Sequence, residues 1–166
     1  MSGLQTSIDR IRRARGYTLG LLEATPESEW FLQPVAGVTH IAWQVGHIAT
    51  AEYGLTLAAT RGPRDTDAEL ISPELRKLFG RGSTVSEQED RYPTVAELRA
   101  MLDRVHRAAL AELATMSEAD LEAPSLIQLA IAKTRRDAME FCPEHEMLHA
   151  GQIGLLRRLF GHKPLR

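Results

Sequence analysis

Pro143-Glu-His-Glu-Met-Leu-His149-Ala-Gly-Gln152 is the stretch on which the reading of this chain turns. His145 and His149 are four residues apart, so on a helix they lie one turn above each other on the same face. Both imidazoles can then reach one metal ion. A third histidine, His47, stands about a hundred residues upstream in Trp43-Gln-Val-Gly-His47-Ile-Ala. If a second helix brings it to the pair, the result is a three-histidine site with at least one open position. Open positions separate catalytic metal sites from closed structural ones.

His145-Glu-Met-Leu-His149 also matches H-E-x-x-H, the zinc metalloprotease signature. That reading needs a third ligand downstream. The extended form requires a glycine and then a histidine at fixed offsets. Here Gly151 comes one residue early and Leu155 takes the histidine's place, and no Asp or Glu follows Glu146. The sequence therefore argues against a protease.

Working outward, Thr134-Arg-Arg-Asp137 caps a final helix that ends at Gly161. Pro143 falls inside it and predicts a kink or widening two residues before His145. A first helix is predicted from about Leu4 to Glu23, with Leu4, Ile8, Ile11, Thr18 and Leu22 on its core face. Thr25-Pro26 opens a short turn, and Trp30, Phe31 and Leu32 are expected to plug it onto the bundle.

Helix two is predicted from about Thr39 to Thr60, stopped by Gly62-Pro63. Ile41, Val45, Ile48, Glu52 and Leu55 follow one of its faces. His40, Gln44, His47, Ala51 and Gly54 follow the adjacent one, where Gly46, Ala51 and Gly54 leave room around His47. His40 is about 10 Å along the axis from His47, too far to share an ion. Helix three opens at the capping box Thr94-Val-Ala-Glu97, with Leu98, Leu102, Val105, Ala109 and Leu113 on its core face. Ser117-Glu-Ala-Asp120 repeats the capping pattern, and residues 122–133 are ambiguous between helix and loop. The expected fold is all-α: one domain over residues 1–166, a four-helix bundle with a long crossover, 61–93, between helices two and three.

Composition bounds the function. The formal net charge of −2 gives no basic excess for nucleic acid. The cluster Arg10, Arg12, Arg13, Arg15, interrupted by Asp9, reads as a solvated helix face. A single cysteine, Cys142, excludes an internal disulfide and fits a reducing compartment. No apolar run approaches the ~20 residues that span a bilayer, and the N-terminus lacks a signal-peptide core. A soluble cytoplasmic protein is expected, with neither membrane nor nucleic acid as partner.

Three stretches together carry a resemblance: Trp43-Gln-Val-Gly-His47-Ile-Ala, Phe79-Gly-Arg-Gly-Ser83, and His145 through Arg158. The chain resembles the DinB/YfiT-like superfamily of metalloenzymes over nearly its whole length. The resemblance implies a four-helix bundle, often a homodimer, with a divalent ion (zinc, nickel or iron) on His47, His145 and His149. Its characterised relatives include transferases and isomerases that use a low-molecular-weight thiol such as mycothiol or bacillithiol. A related iron domain of sulfoxide synthases carries a glutamate two residues after its last histidine. Here Ala150 and Gly151 follow His149, so that chemistry is not expected.

Other residues have candidate roles. Glu146 is a candidate general base on a metal-held water, although it lies ~100° around the helix from His145 and can simply face solvent. Gln152, nearly above His149, is a candidate to hold a water or a histidine N–H. Glu52, a carboxylate on a core face, needs a partner, and a ligand histidine is one possibility. Cys142 reads as an inert buried thiol, with a fourth ligand as the alternative. His106 is expected to flank the core, and His162 to complement the last helix C-terminus. The leading functional expectation is a metal-dependent enzyme of the thiol-transferase type acting on a small electrophile. Metal-dependent hydrolysis and a non-catalytic metal-binding role are the alternatives, and the last predicts that Cys142, Glu52 or Gln152 closes the coordination sphere.

Overall fold

The structure, a computed structural model, describes residues 3–86 and 88–165. Six helices form it: α1 (Gly3–Glu23), α2 (Ile41–Glu52, continued by a π-helical turn Tyr53–Ala58 and a last α turn Ala59–Arg61), α3 (Pro73–Leu78), α4 (Val95–Leu113), α5 (Glu118–Glu122) and α6 (Arg135–Leu159). The long ones, α1, α2, α4 and α6, are the four predicted from periodicity. They form a bundle in which α1 packs along α6 and α2 packs against both α4 and α6.

Local chemistry sets the helix starts. Thr94 with Glu97, Ser117 with Asp120 and Thr134 with Asp137 form complete capping boxes at α4, α5 and α6. At α2 the cap is a histidine ring: Trp43 N–H donates to His40 Nδ1 at 3.0 Å. Burial lowers the His40 pKa from 6.5 to about 4, which keeps that nitrogen unprotonated and able to accept. Of the ambiguous residues 122–133, Glu122 ends α5 and 123–133 form a loop closed by one isolated antiparallel bridge, Pro124 to Thr134.

The predicted core faces are buried: Ile8, Ile11 and Leu22 on α1, Ile41, Val45 and Ile48 on α2, Leu98, Leu102, Val105, Ala109 and Leu113 on α4. Trp30 is fully buried, but Leu32 is 49% exposed and plugs nothing. α6 continues as one helix through Pro143, which has no N–H to give to the ladder. A widening that the sequence reading did not anticipate lies in α2, in the π-helical turn Tyr53–Ala58. No signal in the sequence marked it; single π-helical turns occur inside α-helices, often at functional sites.

The crossover is fastened along its length. Arg61 Nη2 and Tyr53 OH both reach the Asp67 carboxylate, at 2.6 and 3.0 Å. Arg104 Nε donates to the Leu70 carbonyl at 2.7 Å, and Ile71 and Phe79 are fully buried. The Phe79 ring fills the space beside Gly46, where an added Cβ would meet it at 2.4 Å. Gly46 therefore makes room for Phe79; it does not leave free space at His47.

The largest departure from the sequence reading is Arg15. It is 3% exposed, not part of a solvated face. Its guanidinium donates to Glu146 on α6 (Nε to Oε1, 2.8 Å), to Glu52 on α2 (Nη2 to Oε2, 2.8 Å) and to the Leu102 carbonyl on α4 (3.0 Å). His106 on α4 completes the cluster, with Nδ1 at 2.6 Å from Glu52 Oε1. Burial by itself would lower the Arg15 pKa, but the charges of Glu52 and Glu146 outweigh it and raise it. For Glu52 burial works against ionisation, and Arg15 with the His106 hydrogen bond overcomes it, so its pKa is lowered. Removing Arg15 leaves two buried carboxylates without a counter-charge. Arg15→Met is expected to cost about 3–5 kcal/mol in urea unfolding, whereas Arg13→Met on the exposed face of α1 leaves the unfolding midpoint nearly unchanged.

Candidate metal centre

α6 presents His145 and His149 on one face, and α2 brings His47 to them. The ring centroids lie 4.5 Å apart for His145–His149, 4.5 Å for His47–His149 and 5.1 Å for His47–His145. One ligand nitrogen from each ring lies within 4.8 Å of the others. The Nε2 atoms of His145 and His149 are 3.2 Å apart. Two nitrogens ~2.1 Å from a common ion at an angle of about 100° stand at that separation.

Each anchored ring is aimed by the nitrogen it does not offer. His149 Nδ1–H donates to Gln44 Oε1 at 2.5 Å. The Gln44 amide is itself fixed, because its N–H groups donate to Gln152 Oε1 at 2.7 Å and to Thr39 Oγ1 at 2.5 Å. His149 is thereby held as the tautomer whose Nε2 lone pair points at His145. His47 Nδ1–H donates to the Phe79 carbonyl at 2.6 Å, leaving its Nε2 free. The Trp43 indole stacks on the His47 ring at 4.7 Å and 8°, and Phe141 tilts against His145 at 5.8 Å.

The electrostatics suit ligands that must be neutral. Burial lowers the pKa of His145 from 6.5 to about 4 and of His149 to about 3, with the neighbouring histidines adding to the effect. Burial also lowers that of His47, against the pull of the Phe79 carbonyl. Neutral imidazoles on converging helices with their outer nitrogens fixed are the donor set of a divalent-ion site, so these residues fit such an ion.

The other candidates fall elsewhere. Glu146 is 2% exposed and faces neither solvent nor the histidines' shared space; both its oxygens bond Arg15. A base role has no support from that placement. Glu52 is buried as expected, but its partners are Arg15 and His106, not a ligand histidine. Cys142 is buried in the core formed by Ile11, Leu55 and Met139, where burial first and the Glu52 and Glu146 charges second raise its thiol pKa. Gln152 is on the site's rim, where it orients Gln44. His162 Nε2 bonds Glu29 Oε2 at 2.7 Å. Gln44, Trp43 and the Phe79 carbonyl carry roles the sequence did not disclose. Gln44 had one available signal, since it lies on the same helix face as His47, one turn earlier.

Two outcomes are expected. By isothermal titration with zinc or cobalt, His145→Ala and His149→Ala lose stoichiometric binding. Gln44→Leu keeps all three ligands and binds about 10–100-fold more weakly, the usual effect of removing a partner behind a ligand. The metal-free protein also loses stability in acid. In the unfolded chain the rings take protons near pH 6.5, whereas in the folded protein His40 and His145 resist until about 4 and His149 until about 3. The unfolded state binds more protons through that window, so the thermal midpoint should fall as pH drops from 6.5 towards 4 and stay level between about 7 and 8.

Among known proteins, a conserved protein of Enterococcus faecalis of known crystal structure superposes with a TM-score of 0.63 at 20% identity, covering 96% of this chain and 97% of that one. That likeness is one of fold. No curated protein sequence matches the chain. No helix among the described residues is long and apolar enough to cross a membrane. The profile of the DinB superfamily matches residues 10–153, a span that contains most of the bundle and all three histidines, and the chain belongs to that superfamily.

Proposed function

We propose that this protein is a metal-dependent enzyme that activates a low-molecular-weight thiol for transfer to, or isomerisation of, a small electrophilic substrate. One observation carries the reading: among the described residues no fourth His, Cys, Asp or Glu side chain joins the three-histidine cluster. It is the only ligand group of its kind among the described residues. Glu52 and Glu146 are committed to Arg15, Cys142 is buried in an apolar core, and Gln152 Oε1 accepts from Gln44. The side chains that would close the sphere of a non-catalytic site are therefore occupied elsewhere.

The chain's own residues prepare the site. Three imidazoles kept neutral by burial bind without cancelling an ion's charge. Gln44, fixed by Gln152 and Thr39, holds His149 in its ligating tautomer, and the Phe79 carbonyl does the same for His47. Trp43 and Phe141 supply apolar walls against two of the rings. A divalent ion bound there supplies Lewis acidity, which lowers the pKa of a thiol or water and provides a nucleophile at neutral pH. Soft sulfur competes well with water at zinc, nickel, iron or cobalt in an imidazole site.

The test is a cobalt-substituted protein titrated with bacillithiol, mycothiol and glutathione, with His149→Ala as the control. A thiolate-to-cobalt charge-transfer band is expected for at least one thiol, rising with pH as the thiol deprotonates. An unchanged spectrum at millimolar thiol, together with cleavage of an electrophilic ester or amide, replaces this reading with hydrolysis.

A further inference from the structure

The segment Phe79-Gly-Arg-Gly-Ser83 is pinned to α2 at both ends. Phe79 accepts from His47 through its carbonyl at 2.6 Å, and Ser83 Oγ accepts from Trp43 Nε1–H at 3.0 Å. Between these anchors Ser83 N–H donates to the Gly80 carbonyl at 3.1 Å, and Gly82 has φ +82°. That combination matches a type II β-turn with Arg81 at its first central position, where the side chain projects outward. A glycine is required at the second because its φ is positive. A turn held this firmly gives Arg81 a fixed base beside the metal centre.

Arg81 lines a groove of about 570 Å³ with Lys77, Leu78, Ser83, Thr84 and Glu74. Neither Lys77 nor Arg81 pairs with a carboxylate among the described residues, whereas many other arginines do, including Arg10, Arg12, Arg61 and Arg136. Glu74, the one acid among the described lining residues, hydrogen-bonds with Ser72, which lowers its carboxyl pKa. Beside that carboxylate the groove carries a guanidinium fork, an ammonium and two hydroxyls, donors that recognise a carboxylate, and its two cations outnumber its one described acid. Only two contacts, the 4.7 Å stacking of Trp43 on His47 and the 3.0 Å bond from Trp43 to Ser83, separate the histidine ring from the groove wall.

We propose that Lys77 and Arg81 form an anion subsite that takes a carboxylate carried by the thiol whose sulfur the metal site binds. This rests on the thiol reading above, and the experiment separates the two. Cobalt-loaded protein is titrated with 6-mercaptohexanoate and 6-mercaptohexanol, which differ only in the terminal charge. The acid is expected to bind about tenfold more tightly, the size of one charge-assisted hydrogen bond, with the preference shrinking as salt is added. In Lys77→Gln/Arg81→Gln the two thiols should bind equally, with cobalt content and mercaptohexanol affinity unchanged. Equal affinities in the wild type, or a preference that survives the double substitution, overturn the subsite. Should neither thiol reach the cobalt, the thiol reading fails. Nuclear magnetic resonance with hexanoate alone then decides the subsite. Shifts at the Arg81 Nε–H and Gly82 amide that vanish in the double variant uphold it, and their absence in the wild type overturns it.

Discussion

Arg15 is the constraint on which the bundle depends. One guanidinium reaches a carboxylate on α2, a carboxylate on α6 and a carbonyl on α4, so it fixes all four long helices relative to one another. Burying three charges is expensive, and the cluster survives because every charge has a partner within hydrogen-bond distance. Apolar packing tolerates sliding and rotation of helices; an ion cluster with defined donor directions does not. Its consequence reaches the metal centre through α6. Glu146 follows His145 directly, so the same turn of helix turns one side chain to Arg15 and its neighbours, His145 and His149, to His47. The register that satisfies the charge cluster is the register that brings the histidines together.

The two sides of the metal centre are aimed by different means. On the α6 side, His149 depends on a chain of amides and a hydroxyl, Gln152 and Thr39 to Gln44 and then to the ring. On the α2 side, His47 depends on the crossover. Phe79 fits beside Gly46, its carbonyl takes the Nδ1 proton, and Ser83 holds the indole that stacks on the ring. A connection that spans the bundle is thus part of the centre. This accounts for its fastening at Asp67, Leu70 and Phe79, where a free loop would leave His47 with an undefined tautomer.

The sequence by itself determined the helices and the three histidines that could hold an ion. Capping boxes, a 3.6-residue apolar period and punctuation at Gly62-Pro63 and Gly161 are local signals, read within a few turns of chain. The His145/His149 pair is legible for the same reason, since a spacing of four defines a helix face without any knowledge of the fold. Glu52 was recognisable as a buried carboxylate because it interrupts an apolar face. What only the tertiary structure decided is how side chains from different helices meet. Arg15 looks like its neighbours Arg12 and Arg13 in the sequence, and it is buried because Glu52 and Glu146 arrive from segments 37 and 131 residues away. Glu146 lost its candidacy as a base for the same reason. Gln44 and the Phe79 carbonyl became partners of the ligands through contacts 105 and 32 residues apart. The π-helical turn Tyr53–Ala58 was likewise not legible in the local sequence. Backbone hydrogen bonds and apolar periodicity act over four residues, whereas a buried charge or polar ring must be matched by whatever the fold brings next to it.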